Sequence, residues 1–183
     1  MIGLDDSFTR WINGLSGYVP ALDQLMIAVS AFAVPILVLA VALQWWTGGD
    51  RRRTRHALIA SGLAFILGLA INQIILLMLF RMRPYDAGIT HLLIAPSADP
   101  SFPSDHATAT FAIAAALLLQ GLPKRGFVFL LAAILVSFSR VYIGIHYASD
   151  VLGGALTGIV AAIVVTLAYR RETRLDRVLT SIF

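Results

Sequence analysis

Residues 126–169 read "GFVFLLAAILVSFSRVYIGIHYASDVLGGALTGIVAAIVVTLAY". Two apolar runs flank a short polar interval, Ser139 to Asp150, which holds Arg140, His146 and Asp150. The later run, Val151–Tyr169, has 19 residues without a charge. That is near the lower limit for crossing a ~30 Å hydrocarbon layer at ~1.5 Å per helical residue. The earlier run, Gly126–Ser139, has 14 before Arg140 interrupts it, and apolar residues continue to Ile145. The pattern predicts two lipid-crossing helices joined by a polar turn at one membrane surface.

Working outward, three further charge-free runs appear: Leu25–Trp46 with 22 residues, Ala57–Phe80 with 24 and Ala107–Pro123 with 17. The chain is 58% hydrophobic and only 13% charged, more apolar than a soluble domain at ~45–50%. The fold class expected is therefore all-α, a polytopic membrane bundle of five transmembrane helices. No polar linker, low-complexity tract or internal repeat divides it, so 1–183 reads as one domain. Within it, 1–20 forms an interfacial helix, 21–170 the transmembrane bundle and 171–183 a cytoplasmic tail. In "LDDSFTRWINGL", Phe8, Trp11, Ile12 and Leu15 recur at helical spacing, as in an amphipathic helix lying along the membrane surface. Asp5 and Asp6 replace the basic start of a signal peptide, and the next apolar run is full span length, so cleavage is not expected. The absence of cysteine excludes disulfides, thiolate metal sites and Cys nucleophiles.

The net charge of +4 is distributed for a membrane and not for nucleic acid. Arg51, Arg52, Arg53, Arg55, Lys124, Arg125, Arg170, Arg171, Arg174 and Arg177 all fall on one side of a five-crossing topology. Basic loops favour the cytoplasm, so the expected arrangement is N-terminus out and C-terminus in. The outer side then holds only Arg10, Arg81, Arg83 and Arg140 of the basic residues, and seven of the ten acids.

Three polar segments share that outer side: "RMRPYD", "PSFPSDHATA" and "SRVYIGIHYASD". Counted along the helices from the inner boundary, Arg140 lies ~21 Å into the layer, His106 ~27 Å and Asp150 ~30 Å. An arginine at that depth is a functional-site candidate unless it snorkels to the headgroups. His146 and Asp150, four apart, share a helical face. The carboxylate can take the Nδ1 proton and leave Nε2 free as nucleophile or base; the plainer reading is a structural hydrogen bond. Arg83 and Arg140 offer planar forks for phosphate oxygens. Pro103-Ser104-Asp105-His106 reads as a helix start with Ser104 or Asp105 as N-cap, and a helix N-terminus favours anions. His106, in that first turn, could protonate a leaving group. Together these residues point to phosphoryl transfer.

The same residues resemble the signature of the type 2 phosphatidic acid phosphatase family, K-x6-RP, PSGH and SR-x5-H-x3-D. Ser139-Arg140, His146 and Asp150 reproduce the third element, Pro103-Ser104-Asp105-His106 the second, and Arg83-Pro84 the end of the first. Four specified residues at fixed spacing arise by chance about once in 10⁵ positions at ~5% usage each. Leu76 stands where the pattern has Lys and Asp105 where it has Gly. Both departures, and the run "FPSDH", are similar to bacitracin-resistance-type undecaprenyl-diphosphate phosphatases.

The resemblance implies catalytic His146, Asp150 and His106, with Arg83, Ser104 and Arg140 binding phosphate. His146 becomes transiently phosphorylated, and neither metal nor cofactor is implied. Arg81 and Asp105 are possible substrate-binding residues: Arg81 could replace the missing Lys, while Asp105 could orient Arg81 or shift the pKa of a neighbour. The implied substrate is a polyprenyl diphosphate at the outer face of a bacterial inner membrane; membrane lipids are the other partners, and no nucleic acid is expected. Three alternatives stay open: phosphatidic acid or phosphatidylglycerol phosphate as substrate, a metal site built from His91, His106, His146 and Asp150, and a lipid-binding or transport protein without activity. His56 is expected to be solvated, His91 to lie on a loop surface, Asn72 and Gln73 to bond neighbouring helices, and Gly154 and Gly158 to pack span five closely.

Overall fold

The computed structural model describes residues 3–47 and 49–181. Residues 1, 2, 48, 182 and 183, which the one-domain reading includes, lie outside the described residues. Among the described residues every regular element is helical: α1 (Leu4–Asn13), α2 (Pro20–Leu43, continued by a 3-10 turn over Gln44–Trp46), α3 (Arg51–Met78), α4 (Asp105–Leu119), α5 (Pro123–Tyr142), α6 (Ala148–Ala168) and α7 (Arg174–Thr180). Local chemistry sets the starts. Pro20 and Pro123 occupy the first turns of α2 and α5, where a missing N–H costs nothing. Asp50 caps α3 by accepting the Arg53 N–H at 3.0 Å, and Thr173 caps α7 through the Asp176 N–H.

Four helices are long and apolar enough to cross a membrane: α2 with its 3-10 extension (27 residues), α3 (28), α5 (20) and α6 (21). The fifth expected span is shorter. With 15 residues, α4 rises ~22 Å, less than the ~30 Å of a hydrocarbon layer. Its position accounts for this, because α3, α5 and α6 all pack against it. Ala107, Ala112, Ala116 and Leu117 on α4 are completely buried, so its surroundings are mainly protein. Close approach depends on α6 glycines: a Cβ on Gly158 would lie 2.5 Å from the Thr108 carbonyl oxygen and 2.8 Å from the Ala112 nitrogen. The Gly154–Gly158 spacing thus serves packing within the chain.

The two ends of the bundle differ. At one, Arg53 donates to the Gly121 carbonyl (2.6 Å) and Arg55 to that of Thr180 (3.0 Å). His56 is buried here, contrary to the expectation of a solvated residue. Its Nδ1 lies 2.7 Å from Asp176 and its Nε2 3.2 Å from the Gln120 side-chain oxygen, and its ring stacks on Tyr169. An imidazole held between Asp176 and Gln120 ties α7 to α3 and to the end of α4, which hydropathy cannot anticipate. The other end gathers α1, the 79–104 connection and the turn between α5 and α6. Asn13 on α1 reaches the carbonyls of His91 (2.9 Å) and Tyr142 (2.8 Å). Leu4, Phe8, Trp11 and Leu15 are exposed, whereas Ile12 faces inward beside Thr9 and Asn13.

Candidate active site

The three polar segments meet at this second end, around a cavity of about 440 Å³. Arg83 enters from the 79–104 connection, Asp105 and His106 from the first turn of α4, Arg140 from the last turn of α5, and His146 from the turn before α6. The C-terminal end of α3 contributes Gln73, Leu76 and Leu77, and the connection contributes Ser97 and Asp99.

Arg83 organises its own loop. Its Nε donates to the Asp99 carbonyl (2.8 Å), Nη1 to that of Ile145 (3.0 Å) and Nη2 to Ser97 Oγ (3.3 Å). Arg140 is the reverse case. It is only 8% exposed; Nη1 donates to Ser30 Oγ on α2 (2.5 Å), and Nε is buried without a partner. Among the described residues neither arginine has a carboxylate within ion-pair distance. Buried cations without counter-charges carry a penalty of several kcal/mol each. A bound anion would relieve it.

His146 is 4% exposed. Its Nδ1 lies 2.9 Å from the Ser101 carbonyl oxygen and 3.5 Å from Asp150 Oδ2. A carbonyl can only accept, so the proton resides on Nδ1 and the Nε2 lone pair is free. The Ser101 bond is the shorter, and it fixes the tautomer; Asp150 supplies charge behind it. Burial first, then the nearby Arg140 and Arg83 cations, hold this imidazole down to about 4 against the opposing Asp150 hydrogen bond and charge.

Asp150 is fully buried. Oδ2 accepts from Ser101 Oγ (2.5 Å) and from the Tyr147 N–H (2.8 Å), closing a capping box on α6; Oδ1 accepts from Arg81 (2.6 Å). Arg81 is not on the cavity wall. Its guanidinium also binds Asp5 (2.6 Å) and Ser149 Oγ (2.6 Å) and lies 4.0 Å from the Tyr147 ring centroid. Its donors face acids and a hydroxyl, whereas Leu76, at the position of the motif-one Lys, lines the cavity.

Ser104 is the N-cap residue of α4 by backbone position, but its hydroxyl makes no capping bond and is buried without a partner. It does not line the cavity. Asp105 does, and its Oδ1 accepts from Asn72 on α3 at 2.8 Å. It does not orient Arg81. Asn72 also donates to Thr108 (2.8 Å), as expected of a residue that bonds a neighbouring helix. Gln73, expected to do the same, instead faces the cavity. It sits three residues before Leu76, one turn along the same face, a spacing that marks it from sequence once Leu76 is placed. His91 is exposed and tied through its backbone to Asn13. Among the described residues no group of three or more His, Asp or Glu side chains is arranged to hold a metal.

Comparison with known proteins agrees with this geometry. The profile of the PAP2 superfamily matches residues 57–174, which include the whole of α4, α5 and α6. The undecaprenyl-diphosphatase BcrC of Bacillus subtilis is 38% identical over 149 residues, covering 81% of this chain and 76% of that protein. Phosphatidylglycerophosphatase B of Bacillus subtilis is 30% identical over 155 residues, covering 76% and 71%. The crystal structure of a transmembrane PAP2-type phosphatidylglycerolphosphate phosphatase from Bacillus subtilis shares the fold, with a TM-score of 0.67, 24% identity, and coverage of 93% of this chain and 86% of that one. Profile, relatives and fold concur: the chain belongs to the PAP2 superfamily and is a membrane phosphatase.

Proposed function

We propose that the chain hydrolyses a polyprenyl diphosphate, undecaprenyl diphosphate, to the monophosphate and inorganic phosphate. The observation that carries this is Arg140, a buried guanidinium with an unpartnered Nε and, among the described residues, no carboxylate within ion-pair distance, on the wall of a cavity that also holds Arg83, Asp105, His106 and His146. The terminal phosphoryl group is gripped by Arg83 and Arg140 against the start of α4, with the free Ser104 hydroxyl in reserve. The Nε2 lone pair of His146 forms a bond to the terminal phosphorus as the bridging P–O bond breaks. His106 gives its proton to the departing lipid phosphate. Water then attacks the phosphohistidine, His106 takes the water proton, and the N–P bond breaks to restore His146. The arginines supply the electrostatic stabilisation, so neither metal nor cofactor takes part.

In this reading α4 completes a fifth crossing shielded by its neighbours, and α1 lies at the interface with its apolar face toward lipid. The end rich in Lys and Arg is cytoplasmic and the cavity faces outward from a bacterial inner membrane. Support for the diphosphate substrate comes from the name of the 38% identical relative. A second reading, phosphatidylglycerol phosphate, is favoured by the 30% identical one. Purified protein assayed for phosphate release on both lipids in one detergent separates them. Turnover of undecaprenyl diphosphate should exceed that of phosphatidylglycerol phosphate and phosphatidate by at least about tenfold in kcat/KM, a ~1.4 kcal/mol preference. Equal or reversed rates reject the diphosphate assignment.

A further inference from the structure

Asp5, Thr9 and Asn13 recur every four residues along the inward face of α1, and each is bonded to the segment that carries His146. Asp5 accepts the Ser149 N–H (2.9 Å) and the Ser149 hydroxyl (2.5 Å). Thr9 Oγ1 accepts the Ala148 N–H at 3.0 Å, and Asn13 donates to the Tyr142 carbonyl at 2.8 Å. Ala148 and Ser149 open α6, where backbone N–H groups have no partner within the helix. Side chains of α1 therefore cap α6 from outside.

Arg81 completes the arrangement. One arm, Nη2, binds Asp5; the other, Nη1, binds Asp150 Oδ1, both at 2.6 Å. Asp150 is wholly buried, and Arg81 is its only ion-pair partner besides His146 among the described residues. Asp150 reaches His146 by two routes: directly, 3.5 Å from Nδ1, and through Ser101, whose hydroxyl donates to Asp150 and whose carbonyl holds Nδ1.

We propose that Asp5 and Arg81 are positioning residues for the phosphoryl transfer: Asp5 fixes the Arg81 fork, Arg81 fixes Asp150, and Asp150 with Ser101 fixes the direction of the His146 Nε2 lone pair. This rests on the phosphohistidine reading given above. Neither residue lines the cavity, so both act without touching substrate. The chain of contacts joins residues 76 apart in sequence, across the amphipathic helix and the catalytic turn.

Arg81→Ala, Arg81→Lys, Asp5→Ala, the Asp5→Ala/Arg81→Ala double variant and His146→Ala, each normalised to folded monodisperse protein, test this on undecaprenyl diphosphate. A nucleophile displaced by ~1 Å loses about 10²-fold in rate. Arg81→Ala should therefore lower kcat about 100-fold and Asp5→Ala about tenfold, with KM within about twofold of wild type because no phosphate contact is lost. The double variant should be no slower than Arg81→Ala, since Asp5 acts through Arg81. Arg81→Lys, which keeps the charge and loses the fork, should fall between wild type and Arg81→Ala; if Arg81→Ala does not fold, a roughly tenfold lower kcat at unchanged KM in Arg81→Lys carries the test. Wild-type kcat in Asp5→Ala and Arg81→Ala, a raised KM at unchanged kcat, or additive losses would overturn the proposal while an inactive His146→Ala leaves the phosphohistidine reading standing. An active His146→Ala overturns both.

Discussion

His146 is kept neutral by its surroundings. A free imidazole titrates near ~6.5, but burial, followed by the Arg140 and Arg83 cations, brings this one to about 4. A lowered value means that the neutral, nucleophilic form prevails above it and is lost as pH falls through it. The acid limb of kcat/KM, which reports the free enzyme, should therefore lie near pH 4, and a pH–rate profile of phosphate release checks it. Asp150 is predicted to matter through its charge more than through the tautomer. The Ser101 carbonyl already holds the Nδ1 proton at 2.9 Å. Asp150→Asn should thus cost about 10²-fold in kcat by steady-state assay, less than the ~10⁴-fold that follows where a carboxylate sets the tautomer. Arg83, His106, Arg140, His146 and Asp150 were legible in the sequence because their spacing and side-chain chemistry are local features. The Ser101 carbonyl was not, since a backbone acceptor leaves no mark in residue type. The partner of Arg81 was equally hidden, because Asp5 is brought to it only by the fold.

Among the helices, α4 shows how enclosure changes what an element needs. Hydropathy measures apolar content and cannot tell whether lipid or protein supplies the apolar surroundings. The run Ala107–Pro123 thus reads as a span, although the helix is 15 residues long and shielded by α3, α5 and α6. The small residues on its faces are the legible sign, and the glycines of α6 are their complement. A side chain at 158 must push against the Thr108 carbonyl and the Ala112 nitrogen of α4, and neither backbone group can swing away. Gly158→Val should destabilise by about 1–3 kcal/mol, seen as a fall of ~2–4 °C in unfolding temperature per kcal/mol. Gly62, whose added Cβ would meet no atom within 4 Å, provides the control: Gly62→Ala should not lower the thermal transition in detergent and, by removing a mid-helix glycine, should raise it slightly. For α1, helical spacing grouped Phe8, Trp11, Ile12 and Leu15, but Ile12 faces inward while the other three are exposed. The inward stripe of Asp5, Thr9 and Asn13 leaves no mark in the sequence, because its partners at Ser149, Ala148 and Tyr142 are brought to it only by the fold.

Across the whole molecule, the basic α2–α3 and α4–α5 connections lie at one end and the cavity at the other. Arg53 and Arg55 meet the α4–α5 turn and the C-terminal segment, while the cavity forms where the end of α3, the 79–104 connection, the start of α4, the end of α5 and the α5–α6 turn converge. The order of apolar runs and the distribution of Lys and Arg made this two-ended plan readable from sequence, because hydropathy and charge are summed properties that survive ignorance of packing. The buried His56–Asp176 pair was not readable, as its residues lie 120 positions apart. The fold delivers two guanidiniums and two imidazoles to one cavity, and the mechanism proposed above depends on one of those imidazoles bearing phosphate during turnover. Undecaprenyl diphosphate labelled with ³²P at its terminal phosphate, mixed with enzyme and quenched in alkali over milliseconds to seconds, tests this directly. Label should rise and fall on the protein within a turnover, map to His146 by peptide analysis, and be absent from His146→Ala. Steady release of labelled phosphate with no label on the protein at any time, or label on another residue, would contradict the account.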